Sequence, residues 1–189
     1  MVSQAVILVG GKGSRLYESY RYTPADETPK PLVEVGGKPF LTYAINILKA
    51  FGLTDIVLLA GHKIDYFIKL GSGIVRVVET LPQIDKAVLR VSNLEDLFVL
   101  LNGDCLPILE WSDFLSRKEP AVPIKPNLRD AGIALVKRKD IETDRVSCAD
   151  IRGMCSVYPK IMITGGLHVG TYQGLERARQ YMDLVCFGE

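Results

Sequence analysis

Three groups of residues have the types and spacing that phosphate chemistry needs. The first is Gly10-Gly11-Lys12-Gly13-Ser14-Arg15, directly after a short apolar run. Glycines let a backbone approach a phosphate closely, and successive N–H groups form an anion nest. Lys12 and Arg15 add positive charge beside it, and a guanidinium fork can clamp two phosphate oxygens. The second is Lys30, set between Pro29 and Pro31, whose rings restrict the local backbone and so the directions open to the lysine. The third is Asn102-Gly103-Asp104, which follows the apolar run Leu97 to Leu101. A carboxylate at the carboxyl end of a strand, joined by substrate phosphates, is a usual way of holding Mg2+. Taken alone, the glycine segment is also compatible with a plain turn after a strand. It does not supply the Walker pattern GxxxxGK(S/T), and the dinucleotide pattern GxGxxG breaks at Leu16.

The elements that must position these residues alternate in the first half. Gln4 to Val9, Asp55 to Ala60, Ile74 to Glu79 and Leu97 to Leu101 are short apolar runs with the pattern of buried strands. Phe40, Tyr43, Ala44, Ile47, Leu48 and Phe51 recur at helical spacing, with Pro39 to open the helix and Gly52 to close it. His62 to Leu70 and Asp85 to Leu94 are predicted as further helices. Strands separated by helices imply a parallel sheet covered on both faces. The second half is less regular. Prolines 120, 123 and 126 punctuate an edge strand or loop, Ala131 to Val136 and Lys160 to Thr164 are predicted strands, and Gln173 to Leu184 is a closing amphipathic helix. The expected fold is α/β, a Rossmann-like three-layer arrangement with a mixed, mostly parallel sheet.

Composition narrows the function. The 189 residues carry a formal net charge of +1, which argues against a protein that coats nucleic acid. The basic cluster Lys137-Arg138-Lys139 is expected to be a solvated face at the end of a strand. No apolar stretch approaches the roughly 20 residues that span a bilayer, so no membrane partner is expected. The N-terminus has neither a basic region nor a small-residue cleavage site. Four scattered cysteines form no CxxC pair and suit a reduced, cytoplasmic protein.

GGKGSRL at Gly10 to Leu16, PKPL at Pro29 to Leu32 and GKP at Gly37 to Pro39 stand in the order found in the sugar-phosphate nucleotidyltransferases, and the chain resembles that family. The resemblance extends to Asn102-Gly103-Asp104, to Ala131-Gly132-Ile133 and to Val169-Gly170-Thr171 with the helix after it. It is close over the first hundred residues or so and looser beyond. It implies a single nucleotidyltransferase domain, with residues 1–104 as the nucleotide-binding half and 105–189 as a shortened acceptor-binding half. The implied reaction joins an NTP and a sugar 1-phosphate to give an NDP-sugar and pyrophosphate, with Mg2+ as cofactor. A homo-oligomer is left open.

The resemblance also distributes roles. Arg15 and Lys30 match the catalytic cations. Gly10, Gly11, Lys12, Gly13, Ser14 and Gly103 fall to the nucleotide, and Lys125 and Gly132 to the sugar phosphate. Asp104 matches a metal ligand. The chain departs from the family in three places. Ile124 stands where a glutamate usually precedes the lysine. The glycines of the base pocket are replaced around Leu81-Pro82-Gln83-Ile84-Asp85, where Gln83 or Asp85 would read the base edge. His168 replaces the second metal-binding aspartate. That histidine is expected near the metal, but Mg2+ prefers hard oxygen ligands, and binding a softer metal, touching phosphate or doing nothing chemical stay open for it. Two other readings share the N-terminal motifs: a cytidylyltransferase for a small phosphorylated alcohol such as phosphocholine, and a non-catalytic nucleotide-binding homologue. A dinucleotide-dependent oxidoreductase fits less well, because the third glycine is missing.

Overall fold

The structure, a computed structural model, describes residues 2–11, 28–71, 73–80, 86–127 and 129–186. In chain order the elements are β1 (Gln4–Leu8), β2 (Glu34–Val35), β3 (Lys38–Pro39), α1 (Phe40–Ala50), β4 (Asp55–Ala60), α2 (Ile64–Ile68) and β5 (Val75–Glu79). They continue as β6 (Leu97–Asn102), β7 (Cys105–Ile108), α3 (Trp111–Leu115), β8 (Val122–Ile124), β9 (Ile133–Lys137), α4 (Arg138–Glu142) and α5 (Ile151–Met154). The last are β10 (Lys160–Met162), β11 (Gly165–His168) and α6 (Tyr172–Cys186).

Five strands form the central sheet in the order β5-β4-β1-β6-β9. The first four are parallel, and β9 runs antiparallel to β6. The apolar runs produce this arrangement because both faces of each strand are buried. Ala5 and Ile7 face a core shared with α1, α3 and α6. Val6 faces the opposite core, with Val88, Ile141, Ile151 and Met154. Alternate residues of one strand thus enter two separate cores, which makes the fold three-layered and bears out the expected class.

Helix α1 lies where the periodicity places it, but its buried stripe is Phe40, Leu41, Ala44, Ile45 and Leu48. Tyr43 and Ile47 sit at the margin, and Phe51 is outside the helix and exposed. The helix predicted over 85–94 is reduced, among the described residues, to a 3-10 turn at Ala87–Arg90. Val91 is already extended and Asn93 adopts a left-handed backbone, which ends the turn, while Ala87, Val88, Val91 and Leu94 still reach the core. Lys137 closes β9 as expected; Arg138 and Lys139 open α4, and Lys137 and Arg138 are paired with Glu119 and Asp96.

Two small ribbons lie outside the central sheet. β10 pairs in parallel with β8, and β11 pairs antiparallel with β7. The second ribbon grows from the carboxyl end of β6, beyond Asn102-Gly103-Asp104. No helix among the described residues is long and apolar enough to cross a membrane.

Candidate active site

Strand β1 has β4 on one side and β6 on the other, so the chain crosses the sheet in opposite directions from it. A crevice opens at the carboxyl ends of strands at such a point. Here it is a cleft of about 460 Å³, with Gly10, Gly11, Lys30, Thr80, Asp104 and His168 among its walls.

Glycines bring the strand ends together. A Cβ on Gly10 would lie 3.0 Å from Thr80 Cγ2 and 3.1 Å from the backbone N of Gly61, so a side chain there would push Thr80 or the neighbouring strand end aside. A Cβ on Gly11 would meet nothing within 4 Å, which leaves its backbone open to the cleft. Gly103 is required by packing. A Cβ there would lie 2.7 Å from Val9 Cγ1 and 3.0 Å from Leu8 O, and its N–H donates to that same oxygen at 3.0 Å. The β6–β7 turn is thereby pressed against β1, with Asp104 at its tip.

The Asp104 carboxylate gathers three side chains. Lys30 Nζ forms an ion pair with its Oδ2. The two prolines act as their ring geometry requires: Lys30 opens a 3-10 turn preceded by Pro29, while Pro31 and Leu32 are buried beneath it. His168 Nε2 lies 3.0 Å from the same Oδ2, and Cys105 Sγ lies 3.4 Å from Oδ1. Burial pushes the Asp104 carboxyl up, but the hydrogen bond from His168 and the Lys30 charge outweigh it and hold the group well below the usual carboxylate range. Burial and then the Asp104 charge push the Cys105 thiol well up, so it stays a neutral S–H.

His168 arrives by way of the β7–β11 ribbon, whose register sets it opposite Cys105. The Val169 N–H donates to Asp104 O at 2.9 Å and fixes the two strands there. The Gly170 N–H then donates to His168 Nδ1 at 3.3 Å. Gly170 and Gly174 make room for this. A Cβ on Gly170 would lie 2.0 Å from His168 Cε1, and one on Gly174 would lie 2.1 Å from His168 O.

Among the residues expected from sequence, Gly10, Gly11, Lys30, Asp104 and His168 meet at this cleft, with Gly103 directly behind Asp104. Lys12, Gly13, Ser14, Arg15 and Gln83 lie outside the described residues, as does Asp85. Gly132 is buried behind Cys105. Its φ is +75°, a Cβ would lie 2.4 Å from Cys105 Sγ, and its carbonyl accepts from the Asn102 N–H at 2.8 Å. Lys125 is half-buried and is not among the residues that line the cleft, although its charge acts on the Cys105 thiol. Thr80, Asn102 and Ala149 also line the cleft. Asn102 was legible from its motif. Thr80 had only its place after a strand, and Ala149 had no signal at all.

Asp104, Cys105 and His168 offer ligand atoms within 4.8 Å of one another. Their chemistry differs. The carboxylate is a hard oxygen donor beside an open cleft and fits Mg2+, which takes one or two carboxylates and completes its shell with phosphates and water. The neutral thiol does not fit Mg2+.

Residues 5–107 match the family described as MobA-like NTP transferase domain. The mannose-1-phosphate guanyltransferase of Kluyveromyces lactis is 34% identical over 130 residues, covering 59% of this chain and 34% of the relative. The glucose-1-phosphate cytidylyltransferase of Salmonella typhimurium is 41% identical over 66 residues, covering 35% of this chain and 23% of the relative. The matched segments therefore span well under half of these curated relatives. Among solved structures, HddC from Yersinia pseudotuberculosis superimposes with a TM-score of 0.72 at 19% identity, covering 96% of this chain and 100% of that one. The inositol-1-phosphate CTP transferase from T. maritima gives 0.71 at 14% identity, with 99% and 97% coverage. These two establish likeness of fold. The family match takes in more than half of the sequence, and the chain accordingly belongs to the MobA-like NTP transferase domain family, with sugar-phosphate nucleotidyltransferases as its relatives.

Proposed function

We propose that this protein transfers a nucleotidyl group from an NTP to a sugar 1-phosphate, giving an NDP-sugar and pyrophosphate. The observation that carries this reading is the Lys30–Asp104 pair at the glycine-lined carboxyl edge of β1 and β6. A phosphate oxygen of the sugar phosphate attacks the α-phosphorus in line, the bond to the β-phosphate oxygen breaks, and pyrophosphate leaves. Two polyanions must approach each other, so the protein's task is to orient them and offset their charge. In this reading the backbone at Gly10 and Gly11 receives the nucleotide phosphates, and Arg15 and Lys30 have the role of binding the triphosphate. Lys30 neutralises Asp104 until phosphates draw it away. Asp104 would hold Mg2+ together with the substrate phosphates, and the ion would supply positive charge opposite the leaving pyrophosphate. Lys125 binds the acceptor phosphate. Gly132 serves by shaping the floor under Cys105 and Asn102. One nucleotidyltransferase domain accounts for all of this, with residues 1–104 on the nucleotide and 105–189 on the acceptor. The described cysteines are free thiols, which suits a cytoplasmic enzyme supplying activated sugars for polysaccharide synthesis.

The test is pyrophosphate release from purified protein given Mg2+, each NTP and a panel of sugar 1-phosphates. One pairing should release pyrophosphate, and Arg15→Ala and Asp104→Ala should abolish the release. Nucleotide binding without release from any pair would replace this reading with a non-catalytic binding module.

A further inference from the structure

The resemblance matches His168 to a second acidic ligand, yet its ring is already committed on both edges. Nδ1 accepts the Gly170 N–H at 3.3 Å, so that nitrogen carries the lone pair. Nε2 then carries the proton, which it donates to Asp104 Oδ2 at 3.0 Å. A neutral imidazole has one N–H and one lone pair, and here both have partners. The ring is also confined. It lies against Gly170, where a Cβ would stand 2.0 Å from Cε1 and 2.3 Å from Nε2, so it cannot swing that way. Its backbone is held opposite Cys105 by the β7–β11 register and under Gly174 of α6.

We infer that His168 is a positioning residue and not a metal ligand. As the Nε2–H tautomer it hydrogen-bonds Asp104 Oδ2 and fixes the orientation of the carboxylate that would hold the metal. This rests on the nucleotidyltransferase reading and deepens it: among the described residues, Asp104 is the carboxylate that would hold the metal, with substrate phosphates and water to complete its shell. An outer partner that fixes a ligand in this way is commonly worth about 10- to 100-fold in metal affinity or activity.

The experiment uses Mn2+ as the probe, because Mn2+ accepts imidazole as well as oxygen and would report a bound ring. The whole protein is loaded with Mn2+ and a non-hydrolysable nucleotide, and pulsed EPR searches for nitrogen coupling from imidazole. The chain has two histidines, so His62→Gln with 15N-histidine labelling leaves a single source. The expected result is Mn2+ that Asp104→Asn releases, without histidine nitrogen coupling, and an NMR spectrum of His168 in the Nε2–H form. His168→Ala should lower kcat/KM by about 10- to 100-fold. His168→Gln, which keeps an N–H donor at similar reach, should recover to within about threefold. Histidine coupling to Mn2+, the Nδ1–H tautomer, or Mn2+ unmoved by Asp104→Asn would overturn the inference. The EPR and NMR readouts need no turnover. Absence of pyrophosphate release would count against the proposed reaction and leave them readable.

Discussion

Gly170→Ala puts the geometry around Asp104 under the sharpest strain. The new Cβ would stand 2.0 Å from His168 Cε1 and 2.9 Å from Asp104 Oδ2. Ordinary carbon–carbon contact begins at about 3.5 Å, so the ring must retreat by roughly 1.5 Å. That stretches the 3.0 Å bond from Nε2 to Oδ2 beyond hydrogen-bonding range. A hydrogen bond to a charged group contributes about 1.5–3 kcal/mol, which corresponds to about 10- to 160-fold if it acts only on the orientation of Asp104. The expected outcome is that loss in kcat/KM in the pyrophosphate assay, with the fold retained. Overpacking costs about 1–3 kcal/mol, and a domain of this size loses roughly 2–4 °C in Tm per kcal/mol. Because the closest clashes are with the imidazole, His168→Ala relieves most of the strain and leaves only the 2.9 Å approach to Asp104 Oδ2. The double variant should therefore lie much closer to His168→Ala alone than to the sum of the two losses, a clear departure from additivity. Full activity in Gly170→Ala, or additive losses in the double variant, would refute the argument that Gly170 acts through His168.

Three further outcomes follow from the same physical reasoning. Lys30→Met keeps the length of the side chain and removes its charge; pyrophosphate release should fall by about 10²- to 10³-fold, the usual loss when one group aimed at developing charge is removed. At the far end of the sheet, Arg76 donates to both carboxylate oxygens of Asp55 at 2.8 Å, and Gln4 donates to one at 2.5 Å. The Arg76 hydrogen bonds hold the Asp55 carboxyl low. Its stabilising contribution is then complete above the unfolded value near 3.9 and is lost as pH falls through the lower folded one. Denaturant titrations should show Asp55→Asn less stable than the parent at pH 7, with the gap closing below about pH 4; a gap that widens on acidification would reverse the sign. Cys105 and Cys148 are buried, whereas Cys155 is partly exposed, so mass spectrometry after brief alkylation of the native protein should find Cys155 modified before either of the others. Cys105 labelled as fast as Cys155 would show that the floor of the cleft opens in solution.

Much of this site is legible in the sequence. Apolar runs long enough to be buried on both faces, separated by helical periods, define a parallel sheet, and such a sheet places a crevice at its carboxyl edge. Glycines after β1 and an Asn-Gly-Asp after β6 then fall on that edge by topology. Lys30 was legible for a related reason, since flanking prolines advertise a side chain whose direction is fixed locally. The two ribbons were not. β7 contains Pro107, and β11 opens with Gly165-Gly166, so neither has strand propensity or alternation to announce it. Each is four residues long, and they find each other across most of the second half of the chain.

That missing ribbon is the reason His168 could not be assigned from its neighbours. A histidine in place of an acidic ligand suggests another ligand, because the substitution is read one position at a time. Its chemistry is decided instead by what lies on each side of the ring. On one side the backbone turns at Gly170 and offers an N–H, which claims the lone pair a metal would need. On the other, the ribbon's register brings Asp104, a carboxylate that already has Lys30 and can take another donor. An acidic residue at 168 would confront Asp104 with a second negative charge, and burial makes such a pair costly unless a cation lies between the two. A histidine that donates to the carboxylate removes that requirement. The site can keep its carboxylate ordered and paired before any metal or nucleotide arrives, and the preorganisation comes from the side chain that looked, in sequence, like a defect.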